Sequence, residues 1–340
     1  MHPGRSASAG GAGTWRGQSM KIAYLLKVRP DLEDIIPDDV EALRIQAGDD
    51  GLYSDEDLAK LQDVEAFVIG MEPVNEQILA AAPRLRIVQR LGVGYETLDL
   101  EATARRNIPA CNIEGVNKEA VAEHAMMFIL VLAKQFVPAQ AYTQAADWLS
   151  ARRLTLSSFE IKGKTLGIIG FGNTGSSLAK RAHTFEMDIL YNDLREVNTD
   201  LASQLGARSV DKAVLLAESD FVSISTDLNE HSRGMIDAAA LAKMQPHARL
   251  VCCARGGVVD EVALAAALSD GTIAAAALDV FETEPIRPDN PLIGIDNCLL
   301  TSHVAGVASD TTARTWAWAH DNVRAVLLRG ERPRWIRNGV

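Results

Sequence analysis

The chain has 340 residues, with 34 Lys and Arg against 45 Asp and Glu, a formal net charge of −11 whose members are dispersed rather than blocked. That balance disfavours nucleic acid and anionic membranes as partners, and the length suffices for two domains with a core each. Cys111, Cys252, Cys253 and Cys298 show no C-x-x-C spacing, which indicates neither a zinc site nor a disulfide framework and suits a reducing cytoplasm.

Residues 1–19 are rich in Gly, Ser and Ala without an apolar stretch, and are expected to form a disordered tail, with Met20 opening the fold. A first strand is expected over 21–28 and another over 64–70, with acidic, poorly periodic segments between them read as short helices and loops. A helix over 75–82 stops at Pro83, a strand over 86–91 breaks at Gly92-Val93-Gly94, and a helix over 98–106 precedes a short strand over 108–111. This alternation reads as a small parallel α/β domain. Residues 118–142 contain no glycine and carry Val121, Ala125, Phe128, Ile129, Leu132 and Phe136 at helical spacing, as one long core helix. The longest apolar run inside it, nine residues over 125–133, is too short to span a bilayer.

Strands are then expected near 165–169, 188–192, 219–224, 249–253, 273–279 and 297–301, with helices between them and a last helix over 304–328. The first of these strands runs into Gly170-Phe171-Gly172-Asn173-Thr174-Gly175, the G-x-G-x-x-G turn between a buried strand and a helix. Gly170 permits the tight turn, Gly172 lets backbone approach a pyrophosphate, and Gly175 lets helix pack on strand. Asp193 follows 18 residues after the third glycine, at the end of the next strand, where a carboxylate takes a ribose 2′-OH. It favours NAD over NADP, whose 2′-phosphate it repels, although Arg195 two residues on works against that selection. A solvated acid at a strand end is its plain alternative.

Three further strand ends carry polar residues: Arg255 before two glycines, Asp279 and then Glu284 before Pro285, and His303. Ligands of open α/β sheets bind at these carboxyl ends. Beside a dinucleotide, a His protonates the alkoxide formed from a ketone, a carboxylate orients the imidazole, and an Arg clamps a substrate carboxylate bidentately. Spacing alone leaves other roles open: a surface salt bridge for Arg255, a loop acid for Glu284, a helix cap for His303.

Together these segments resemble the D-isomer-specific 2-hydroxyacid dehydrogenases, a family that includes phosphoglycerate dehydrogenase and glyoxylate/hydroxypyruvate reductase, over roughly residues 21–328. The likeness rests on the Gly92–Asp99 loop, Ala120-Val121-Ala122-Glu123-His124, the glycine turn, and the segments around Arg255, Glu284 and His303. The resemblance implies two Rossmann-like, doubly wound parallel-sheet domains, with an NAD-binding domain (118–304) inserted into a discontinuous substrate domain (20–117 and 305–340) and NAD in the cleft. It implies that Arg255 binds the substrate carboxylate with the N–H groups around Val93 and Gly94, that His303 is the acid/base and also faces cofactor and substrate, and that Glu284 bonds His303. It places Asn173 and Thr174 at the pyrophosphate, and Thr226, Cys253, Ala254, Arg255 and Ala305 along the cofactor, with Asp279 on the nicotinamide carboxamide. It further implies a homodimer formed through the 118–142 region, a small 2-hydroxy or 2-keto acid as substrate, and no metal.

The chain departs from the family pattern at Ser225-Thr226-Asp227-Leu228-Asn229, where a proline is usual, at Cys252, and at Asn112-Ile113-Glu114, where Asn-Thr-Pro is usual. A second class sharing the fold, NAD(H)-sensing corepressors without turnover, is disfavoured by the short stretch after the last helix. Formate enzymes of the fold carry Gln where this chain has Glu284. Leu52, Tyr53 and Met71-Glu72-Pro73 are expected to wall the substrate side chain, while Arg90 is open between a phosphate contact and a surface residue.

Overall fold

The computed structural model describes residues 19–26, 35–48 and 50–340. Residues 1–18 of the tail expected over 1–19 and the end of the expected first strand lie outside these residues. The chain divides into two compact units, Met1–Val116 with Thr312–Val340, and Asn117–Thr311. Each is α/β, and among the described residues their strands form parallel sheets of five and seven strands.

The first unit runs β1 (Met20–Leu25), β2 (Val40–Ile45), α1 (Asp55–Ala59), β3 (Ala66–Ile69), α2 (Glu76–Ala81), β4 (Ile87–Arg90), α3 (Leu100–Arg105) and β5 (Ala110–Cys111). Its strand order is β2-β1-β3-β4-β5. β3 and β4 are buried along their whole length, which suits the apolar sequence of β3, whereas β4 also buries Gln89 and Arg90. Asn75 and Asp99 cap α2 and α3 by accepting from Ile78 N and Ala102 N. β2 falls where the sequence predicts short helices and loops. It is an exposed edge strand, so its Glu41, Ala42 and Arg44 hide the apolar alternation, and only register against β1 (Met20 beside Val40 to Leu25 beside Ile45) defines it.

The second unit opens with α4 (Lys118–Lys134), α5 (Phe136–Gln144) and α6 (Trp148–Leu154). The single helix expected over 118–142 is therefore two, bent by 63° where Gln135 takes φ +50°. Pro138 accounts for the break: in a continuous helix its ring would clash with the Lys134 carbonyl, whereas in the first turn of α5 its missing N–H costs nothing. Val121, Ala125, Phe128, Ile129 and Leu132 are buried as their spacing implies, while Phe136, beyond the break, is exposed.

There follow β6 (Thr165–Ile169), α7 (Asn173–Thr184), β7 (Asp188–Asn192), α8 (Thr199–Gln204), β8 (Arg208–Ser209), α9 (Lys212–Glu218), β9 (Phe221–Ile224), α10 (Ala238–Leu241), β10 (Arg249–Cys252), α11 (Glu261–Ser269), β11 (Ala275–Leu278) and β12 (Cys298–Leu300). The order β12-β11-β10-β9-β6-β7-β8 is doubly wound, and its direction reverses between β6 and β9. α4 and α7 share a core with one face of this sheet through Ala125, Phe128, Ile129, Leu178, Ala179 and Ile168. α12 (Ser309–Leu327) then enters the first unit, where Trp316 and Val323 pack with Ile22, Tyr24 and Val68. Beyond it Trp335 stacks on Trp318, with ring centroids 5.4 Å apart, and Ile336 bridges antiparallel to Cys111 at the edge of the five-stranded sheet.

Candidate active site

The carboxyl ends of β6 and β9 flank the reversal point of the larger sheet. Gly170 has φ +93°, and a Cβ there would lie 2.6 Å from the Ser225 carbonyl oxygen, so only glycine closes this turn. A Cβ on Gly175 would lie 1.9 Å from the Gly170 carbonyl oxygen. Gly172 is the N-cap of α7 and offers no capping side chain, so Asn173 and Thr174 begin the helix with its positive end open to an anion. Asp193 is the first residue past β7. Its carboxylate accepts from Phe171 N at 2.7 Å and from Arg195 N at 2.9 Å, which ties the second strand end to the glycine turn.

A cavity of about 480 Å³ opens beside this turn, lined among others by Gly170, Asp193, Arg195, Lys212, Thr226 and Asp227. The residues fit a dinucleotide: Gly170 and Gly175 leave no room for a side chain, the helix end is uncapped, and a carboxylate stands at the cavity wall. Lys212 and His231 line the same cavity. No motif marks them, because they come from α9 and from the loop after β9. Asp227, a departure from the family pattern, is a wall residue too.

Arg255, Glu284 and His303 all lie in this second unit. Arg255 is half-buried three residues past β10. A Cβ on the following Gly256 would sit 1.7 Å from the Phe281 carbonyl oxygen, so the Arg255 loop packs directly on the backbone leading to Glu284. Glu284 Oε1 accepts from Phe281 N at 3.0 Å, and its Oε2 lies 2.6 Å from His303 Nδ1. The carboxylate is thus fixed by backbone on one side and holds the imidazole on the other. His303 Nε2 is left to exchange a proton, and the ring is half exposed. Cys253 and Ala254, beside Arg255, are buried and half-buried respectively.

His303 itself has φ +55°, and Asp279 accounts for this left-handed backbone. The Asp279 carbonyl accepts from His303 N at 2.8 Å. Its carboxylate accepts from the Thr301 hydroxyl (2.5 Å), Val304 N (2.9 Å) and Ala305 N (2.8 Å). Only 1% exposed, Asp279 is the anchor of the His303 turn. Thr301 carries no sequence signal. On α4, His124 Nε2 lies 3.2 Å from the Thr301 hydroxyl, and burial pushes its pKa down against the pull of Asp279.

In the first unit, Val93 and Gly94 follow β4. The three carbonyls leading up to Gly94 are all engaged: Leu91 O by Arg90 Nη1 (2.7 Å), Gly92 O by Ile113 N (2.8 Å) and Val93 O by Asn112 Nδ2 (2.6 Å). The N–H groups of Val93 and Gly94 meet no acceptor among the described residues. Arg90 is buried, which removes the surface reading, and its Nη2 lies 2.9 Å from Met71 Sδ. Tyr53 is buried with its hydroxyl on Pro73 O at 2.7 Å, whereas Leu52 and Met71 are exposed.

Residues 126–305 match the family model described as D-isomer specific 2-hydroxyacid dehydrogenase, NAD binding domain. Glyoxylate reductase of Korarchaeum cryptofilum is 37% identical over 278 residues, covering 81% of this chain and 83% of that protein. The holo form of Rhodotorula graminis D-mandelate dehydrogenase superposes with a TM-score of 0.83 at 26% identity, over 95% of this chain and 99% of that one. NADPH-dependent glyoxylate/hydroxypyruvate reductase of Sinorhizobium meliloti, solved with NADP and malonate, gives 0.78 at 26% identity, over 95% and 100%. With a nicotinamide-dinucleotide crevice and a paired carboxylate and imidazole in one unit, the chain belongs to the D-isomer specific 2-hydroxyacid dehydrogenases, oxidoreductases acting on CH–OH with a nicotinamide cofactor.

Proposed function

We propose that the protein interconverts a small 2-keto acid and its D-2-hydroxy acid with NAD(H), glyoxylate and hydroxypyruvate being the substrates its relatives' names support. The observation that carries this reading is the 2.6 Å pair of Glu284 and His303 in the unit that holds the glycine turn. The nicotinamide, when bound, supplies or takes the hydride. Arg255 binds the substrate carboxylate and polarises the keto oxygen, and in the first unit the N–H groups of Val93 and Gly94 are donors suited to a substrate carboxylate. His303 Nε2 gives its proton to the oxygen formed on C2, while Glu284 pairs with Nδ1 and keeps the ring in register.

Asp193 supports NAD(H) as the preferred cofactor. Arg195 and Lys212 on the same cavity wall give the 2′-phosphate of NADP(H) two counter-charges, so NADP(H) is the weaker second cofactor. Exposed Phe136, Trp148, Leu149 and Leu156 on and beside α5 and α6 support a homodimer through this region. A reducing cytoplasm suits the four free cysteines, and the charge of −11 speaks against a nucleic-acid or anionic-membrane partner.

The test is NADH and NADPH oxidation by the purified protein across 2-keto acids from glyoxylate to phenylpyruvate. Turnover with a small member, faster with NADH, is expected. NADH binding without turnover of any member would overturn the reading in favour of a dinucleotide sensor.

A further inference from the structure

We infer that Arg337, in the segment after the last helix, positions the substrate-carboxylate loop through Asn112, with Glu114 as its counter-ion. The inference rests on the keto-acid reading above and adds positioning residues that no active-site motif contains. All of these residues lie in the first unit.

The geometry is a chain of directed bonds. Backbone pairing sets the segment against β5: Arg337 N donates to Ala110 O at 2.8 Å, and Asn112 N to Trp335 O at 3.3 Å. Asn338 adds two more bonds, its Oδ1 accepting from Ala110 N and its Nδ2 donating to Ile108 O. From there the Arg337 guanidinium divides its donors. Nε donates to Asn112 Oδ1 at 2.8 Å, and Nη2 to Glu114 Oε2 at 2.8 Å. Its Cζ also lies 5.6 Å from the centre of the Tyr95 ring, so it meets the loop directly as well.

Asn112 is fully buried, and its amide has one orientation that satisfies both neighbours. With Oδ1 turned to Arg337, Nδ2 points to Val93 O at 2.6 Å. Holding that carbonyl fixes the peptide plane that it shares with Gly94 N, and so the direction in which this N–H points. A one-ångström error in such a donor costs up to ~10²-fold in reaction rate. The departure Asn112-Ile113-Glu114 thereby acquires a role, since the carboxylate standing where proline is usual pairs with Arg337 and turns its Nε toward Asn112.

Steady-state kinetics on Arg337→Ala and Arg337→Lys, with titration of oxamate into the NADH-loaded protein, test this. Arg337→Ala is expected to raise the keto-acid KM and the oxamate Kd by roughly 10-fold, with kcat falling far less and NADH affinity unchanged. Arg337→Lys should recover part of the loss, since one ammonium reaches Glu114 or Asn112 without the fixed fork. An unchanged KM, or keto-acid and NADH affinities worsening together, overturns the relay. Should Arg337→Ala not fold, Glu114→Gln decides, with a rise of about 2-fold or more in KM expected from the lost counter-charge and no rise counting against it. If the wild type binds oxamate but turns over no keto acid, the reaction assignment falls and the relay is judged on oxamate affinity alone. If it binds no oxamate, both fall.

Discussion

At the scale of single residues, the site depends on who holds whom. Glu284 is useful because Phe281 N fixes one of its oxygens while the other meets His303 Nδ1. His303 depends in turn on Asp279, which holds three successive backbone N–H groups around it. On the proposed mechanism His303→Ala removes the proton donor and is expected to lower kcat by ~10² or more at saturating substrate. Glu284→Gln keeps an acceptor for Nδ1 but no charge, so a smaller loss is expected. Near-wild-type turnover of His303→Ala would take the imidazole out of the mechanism. In sequence, Arg255, Glu284 and His303 stand out because each is an unusual polar residue at a strand end. Asp279 stands out too, and the resemblance sets it beside the nicotinamide carboxamide, but its bonds to the His303 turn are not legible, because only the fold brings that turn beside it.

At the scale of elements, the meeting of β6 and α7 sets the cofactor crevice. Gly175 has no room for a Cβ, with Gly170 O at 1.9 Å and Ile168 Cγ2 at 3.0 Å from its position. Gly175→Ala must therefore push α7 off the strand and move the helix end proposed to face the cofactor phosphates. A loss of NADH affinity of about 10-fold or more, read by fluorescence titration, is expected from the displaced donors. An unchanged Kd would show that this close approach is dispensable. The glycine turn is legible because its requirements are local: a strand, three glycines and a helix within a few residues. The break in the 118–142 helix is written in Pro138, but helical spacing on the α4 side masks it. β2 is not legible, since an edge strand buries too little for its sequence to alternate.

At the scale of the whole molecule, the chain returns to its first unit after building the second, and α12 carries the means of that return. His320 on α12 is buried against Tyr24, whose hydroxyl lies 3.0 Å from Nε2, and against Trp316. Burial, aided by the Arg324 charge and opposed by Asp39, pushes the His320 pKa from 6.5 down to about 4. Burial also pushes Tyr24 up, so its hydroxyl stays protonated beside Nε2. Because the unfolded chain takes up this proton first, the stability His320 contributes is complete above pH 6.5 and is lost as pH falls toward 4. The loss is on the order of 3 kcal/mol. His320→Gln should flatten that part of the stability–pH curve, measured by urea unfolding at steps through this range. A wild-type curve with the same slope as the variant would refute the assignment.

The α/β class, the glycine turn, the acid at the end of the second strand of its unit, and the Arg, Glu and His of the site are all readable before any folding is considered. Each is written in residues that are neighbours along the chain or stand at recognisable strand ends. Three further pairings exist only once the chain is folded: Asp279 with the His303 turn, Lys212 and His231 with the cofactor cavity, and Arg337 with the Val93 loop through Asn112. Arg337 and Asn112 stand 225 positions apart in the chain, and Asp279 and Val304 stand 25 apart. Over such separations the topology of the sheets decides which side chains meet, and no local pattern of residues encodes the partner.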